Sequence, residues 1–249
     1  MTSPLHARNL WIVFAVAFGI LVPLLQRLTG FGIDQAAFSA QGDATLRAAG
    51  PAFAIWGLIY AGLIAMAIYQ LTPAGRAAPV LRCLAAPAGA AIALCGVWII
   101  VAALNLRWVT VPVIIAAAGL LVWSLARAEP AEGRDRLFIV WPLQLLAGWL
   151  TIASGLNLLM VLTAEGWIQP QAYWSLIGIA VVVAAAAWSS LRLGSAIYLG
   201  PVIWGFLWVF EAMTGVAAWA ALGAAGVLAL LAVALLMPGR LPLPMQRRS

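Results

Sequence analysis

The chain offers little for acid–base, nucleophilic or metal chemistry. Its one histidine, His6, lies in the N-terminal tail. That argues against a histidine general base, a Ser–His triad or a multi-histidine metal site. Cys83 and Cys95 stand twelve positions apart on one expected helix. Along a helix that is about 18 Å, beyond disulfide reach. No two carboxylates share an apolar stretch, which argues against a proton relay of the usual kind. Glycine-rich phosphate loops are absent too. Glu211, at the end of an apolar run, is the one carboxylate placed to act as a polar site. An ordinary interfacial carboxylate is the competing reading.

Aromatic surface is what the sequence supplies instead, with 13 tryptophans in 249 residues. Trp56 and Tyr60 are four positions apart and share one side of a helix. Trp149, Ala153, Leu156 and Asn157 also fall on one helical face, with the small Ala153 leaving room beside the indole. Asn105 and Asn157 each follow a leucine. A buried amide in lipid must hydrogen-bond, across helices or to a ligand. Two opposed aromatic faces would form a slot for a flat apolar ring, each stacked pair adding about 0.5–1.5 kcal/mol beyond burial. Plain helix packing accounts for the same spacing, so the residues alone leave both readings open.

These side chains need elements to hold them. The chain is 65% hydrophobic and 8% charged, with mean hydropathy +1.07. Soluble domains carry about 25% charged residues. Long apolar runs without alternation therefore predict an all-α, polytopic membrane helical bundle. Eight spans are expected, at roughly 9–27, 51–71, 84–105, 108–126, 138–162, 173–191, 195–212 and 215–237. Pro23 predicts a kink or early stop in the first. The basic residues are all arginine, and this count places ten on one face and three (Arg27, Arg47, Arg107) on the other. By the positive-inside rule both termini are then cytoplasmic, in a bacterial-type inner membrane. The net charge of +6 thus reads as topology and contact with anionic membrane lipid, with no nucleic-acid partner. The first connection carries Phe31, Asp34, Phe38, Asp43 and Arg47. Connections this long are usually lids or disordered, and its apolar residues favour a packed lid. Ile55–Tyr60 is echoed by Ile203–Trp208, a faint internal repeat of the kind transporters carry.

At these motifs the chain resembles the tryptophan-rich sensory protein / translocator protein family, also called the peripheral benzodiazepine receptor group. Phe53 with Trp56 and Tyr60 is similar to that family's aromatic start of the second span. Leu104-Asn105 with Trp108 matches its L-N-x-x-W motif. Trp149, Ala153, Leu156 and Asn157 match its W-x-x-x-A-x-x-L-N motif. Ile59 stands where the family usually has leucine, and Pro142 lies seven positions before Trp149 rather than one turn. The resemblance covers about residues 9–163, which would form a five-helix core. Residues 164–249 would add a three-helix extension packed on the same bundle, as in a longer eight-span branch.

The resemblance implies a pocket inside the five-helix core, covered by the first connection. It implies a planar apolar ligand such as a tetrapyrrole or sterol-like lipid, with no cofactor required beyond a bound tetrapyrrole. Trp56, Tyr60, Asn105, Trp108, Trp149, Ala153, Leu156 and Asn157 become the ligand-binding expectation. The family also suggests tryptophan-assisted photochemical degradation of a porphyrin, which leaves catalysis open. Two further function classes stand beside the binding protein or sensor. One is a secondary transporter of a small or apolar solute. The other is an assembly partner, as a homodimer or within a larger membrane complex.

Overall fold

The computed structural model describes residues 4–42 and 44–237, with side chains from Ala7 onward. Asp43, the His6 side chain, Pro238 and the arginines beyond residue 237 lie outside the described part. Every regular element among the described residues is helical. Apolar runs rich in Ala, Leu, Val and Ile satisfy their own backbone only as helices once they enter lipid.

The first helix, α1 (Pro4–Thr29), runs through Pro23 without stopping. A short α2 (Gln35–Ala40) follows, capped by the Asp34 carboxylate accepting from the Ala37 N–H. A 3-10 turn (Gly50–Ala54) leads into α3 (Ile55–Tyr69), and the five-residue α4 (Pro73–Ala77) starts at a Thr72 cap. Next come α5 (Leu81–Ala103) and α6 (Arg107–Leu125). Asn105 turns the chain between them with φ 56°, a left-handed conformation that asparagine tolerates better than most residues. One turn, α7 (Gly133–Asp135), runs into a π-turn (Arg136–Val140) and then α8 (Trp141–Ala164). The last three are α9 (Ala172–Leu193), ended by a left-handed Gly194, then α10 (Leu199–Ala212) and α11 (Gly215–Leu236).

Seven of the eight expected spans are helices long and apolar enough to cross a membrane. The remaining one, expected over 195–212, is a turn followed by the 14-residue α10. At 1.5 Å per residue α10 is about 21 Å long, short of a hydrocarbon core of about 30 Å.

Helices α1, α5, α6, α8 and α3 pack in that order into a ring that closes where α3 meets α1. The extension lies outside the ring: α9 and α10 pack on α8, and α11 packs on α9 and α10. Helix α8 is thus covered on both sides, and 13 of its residues are buried. Polar side chains bridge its seams. The Ser195 hydroxyl donates to Gln144 Oε1 at 2.8 Å. Thr151 and Tyr198 share a hydroxyl hydrogen bond of 2.6 Å.

These contacts also order the ends of the bundle. Arg107, at the start of α6, pairs with Glu165 just past α8. Ser195, just past α9, meets the first turn of α8. The Arg107 end therefore carries the first connection. The opposite end carries the end of α6, the start of α8 and the end of α9.

Candidate ligand cavity

The ring surrounds an aromatic cavity; its empty space, together with open solvent beyond it, amounts to about 1060 Å³. Trp56 and Tyr60 stack at 5.1 Å between ring centroids, one helical turn apart on α3. Trp149 on α8 meets the Trp56 ring edge-on at 6.4 Å and the Phe53 ring at 6.2 Å. Ala153, Leu156 and Asn157 continue that face of α8 along the cavity wall. Trp98 and Cys95 line it from α5, and Ile114 and Ala117 from α6. Among the described residues no histidine lines the wall; its aromatic side chains offer a flat ring stacking and burial.

Polar groups line the cavity on the lid side. Gln35, Ser39 and Arg47 of the first connection contribute to the wall there. Asn157 is buried and donates to Thr110 Oγ1 on α6 at 2.9 Å. Thr110 in turn donates to the Arg107 carbonyl. The amide therefore serves as glue between α6 and α8 while one edge faces the cavity. Replacing Thr110 with valine leaves the Asn157 amide without that partner. The expected cost is about 1–2 kcal/mol, read as a lower melting temperature in detergent. An unchanged melting temperature would mean the Asn157–Thr110 bond carries no net stability.

The first connection is held down as a lid. Phe38 is fully buried against Trp98, Ala102, Met160 and Val161. Its ring meets Trp98 edge-on at 5.9 Å. Gly42 lies so close to α8 that a Cβ there would overlap the Met160 carbonyl. Thr45 and Thr163 share a hydroxyl bond of 2.7 Å. Arg107 clamps the far side, donating to Gln41 on the lid and to Glu165 at 2.8 Å. The hydrogen bond to Gln41 latches the lid, and the ion pair with Glu165 ties the start of α6 to the end of α8.

Six of the eight expected ligand-binding residues meet at this cavity: Trp56, Tyr60, Trp149, Ala153, Leu156 and Asn157. Two do not. Asn105 is exposed, because its left-handed turn directs it away from the ring. Trp108 is 40% exposed and packs on Trp167 at 5.0 Å, outside the cavity. Glu211 is exposed at the end of α10 and does not reach the cavity either.

The extension contributes to the wall, which motif reading missed. Gly205 of α10 lines the cavity. Beside it, the Trp204 indole N–H donates to the Ala52 carbonyl at 2.9 Å. The Ala49 N–H donates to the Trp208 carbonyl, also at 2.9 Å. Helix α10 is therefore stitched to the 3-10 turn that leads into α3 and packs on α8. The echo between residues 55–60 and 203–208 was the only signal pointing to that segment.

The fold and cavity define a multi-pass helical membrane protein with an aromatic pocket inside its bundle. The sequence pattern of the TSPO-like protein family matches residues 9–234, and the chain belongs to that family. The match runs through α11. No curated protein and no solved structure matches the chain.

Proposed function

We propose that the protein binds a planar apolar ligand, a tetrapyrrole such as a porphyrin or a sterol-like lipid, as a membrane receptor or sensor. The observation that carries this reading is the aromatic cavity beneath the pinned lid. Its walls are mainly apolar and aromatic, with a few polar side chains among them, which is the usual make-up of a small-molecule site. Trp56, Tyr60 and Trp149 supply faces and edges for a flat ring, and Ala153 leaves space beside them. The polar side chains on the lid side suit a ligand whose polar edge points toward the lid. In this reading the five-helix unit (1–163) carries the ligand and the extension (164–249) completes its wall. The chain lies in a bacterial-type inner membrane with both termini in the cytoplasm, as the arginine distribution favours.

The test is a titration of the purified protein in lipid nanodiscs with protoporphyrin, following tryptophan fluorescence. Saturable quenching is expected. Trp149→Ala removes an edge-to-face partner and a large apolar wall, so binding should weaken about tenfold or more. Trp219→Ala, on the exposed face of α11, should bind as the parent does. Quenching that never saturates, or equal affinity for both variants, removes this reading.

A further inference from the structure

We propose that the end of the bundle opposite the lid is a binding surface for the phosphodiester headgroups of anionic phospholipids, built from three tryptophan–arginine pairs. Arg127 lies over the Trp123 ring at 4.6 Å, at the end of α6. Arg192 lies over the Trp188 ring at 5.5 Å, at the end of α9. Arg136 lies over the Trp141 ring at 6.0 Å, at the start of α8. In the first two pairs the arginine stands four residues after the tryptophan, one turn further along the helix. In the third, five positions apart, the π-turn over Arg136–Val140 supplies the wider spacing that brings the two together.

Charge separates this end from the other. Among the described residues it holds seven arginines (Arg8, Arg76, Arg82, Arg127, Arg134, Arg136, Arg192) and three carboxylates (Glu129, Glu132, Asp135). The lid end holds three of each: Arg27, Arg47 and Arg107, with Asp34, Glu165 and Glu211. The net positive charge of the described chain therefore sits at one end. Two of its carboxylates are engaged elsewhere, Glu129 with Arg82 and Asp135 as acceptor from the Tyr69 hydroxyl. Among the described residues no carboxylate pairs with Arg127, Arg136 or Arg192.

The pairs suit a lipid surface in particular. Trp123 is 52% and Trp188 58% exposed on the outside of the bundle, where acyl chains meet headgroups and indoles are favoured. A guanidinium lying on an indole face presents its N–H edge to phosphate oxygens; in Arg127 one Nη also donates to the Trp123 carbonyl at 3.4 Å, and its other N–H groups remain for the phosphate. The indole also fixes the arginine at that depth, so less side-chain freedom is lost when a phosphate arrives. Topology needs only positive charge on this side; the stacked geometry adds recognition of the phosphodiester.

The full chain would be reconstituted in nanodiscs of mixed phosphatidylglycerol and phosphatidylcholine, and the lipids retained after detergent extraction counted by native mass spectrometry. Phosphatidylglycerol should be enriched about fivefold. Arg127→Lys with Arg192→Lys keeps the charge and removes the fork. It should cut the enrichment to about twofold or less without changing melting temperature. Inorganic phosphate at millimolar concentration should leave the enrichment intact. No enrichment in the parent, full enrichment in the lysine variant, or displacement by free phosphate would each overturn the proposal.

Discussion

Gly148→Ala is expected to separate α10 from α8 and to lower the melting temperature of the whole protein. A Cβ at Gly148 would overlap the carbonyl oxygen of Tyr198. That obstacle is backbone, so rotamer change cannot relieve it. Overpacking of this kind costs about 1–3 kcal/mol, occasionally more. Here the displacement also strains the Thr151–Tyr198 bond of 2.6 Å and the wall at Gly205, so the upper end of that range is expected. Gly223→Ala is the matched control. Its Cβ would meet nothing within 4 Å, and alanine favours a helix over glycine by about 1 kcal/mol. Melting in detergent should fall for the first variant and hold or rise for the second. Equal melting temperatures would show that α8 and α10 do not approach at this glycine.

Ala153→Trp is expected to abolish ligand binding while the protein stays folded. Ala153 lines the cavity beside Trp149, one turn along the same face of α8. An indole there would grow into open space rather than into packed neighbours. It would occupy the volume a planar ligand needs and supply its own edge to the Trp149 ring. Binding of protoporphyrin should fall by about a hundredfold or beyond detection. Burial of the new ring should hold or raise the melting temperature, which distinguishes a filled pocket from a damaged fold. Unchanged affinity with an unchanged melting temperature would place the ligand elsewhere, and the proposed function would fall with it.

Much of this arrangement can be read from residue spacing. Trp56 with Tyr60, and Trp149 with Ala153, Leu156 and Asn157, follow helical periodicity, and the ring brings both faces to one cavity. The helical membrane bundle follows equally from apolar run length. What spacing hides is how one helix meets another. Asn105 and Trp108 belong to the same motif logic, yet the left-handed turn at Asn105 takes both away from the cavity. Trp98 and Cys95 form part of the wall, but each is one apolar residue in a uniformly apolar α5. Hydropathy cannot distinguish a lining side chain from a lipid-facing one. Phe38 could be assigned to a lid but not to its socket, because Trp98, Met160 and Val161 come from distant segments. The shortness of α10 escaped for a related reason. The turn at 195–198 keeps an apolar composition, since Tyr198 is fully buried against α8.

The double enclosure of α8 has a consequence for how the protein is made. Thr151 finds its partner Tyr198 47 residues later in the chain, and Gln144 finds Ser195 51 residues later. At synthesis rates of about 5–20 residues per second, those partners emerge roughly 2–10 s after the side chains they satisfy. Helix α8 therefore enters the bilayer carrying polar groups whose interhelical bonds do not yet exist. The outer face of α8 must therefore stay accessible until residues 195–198 emerge and form those bonds.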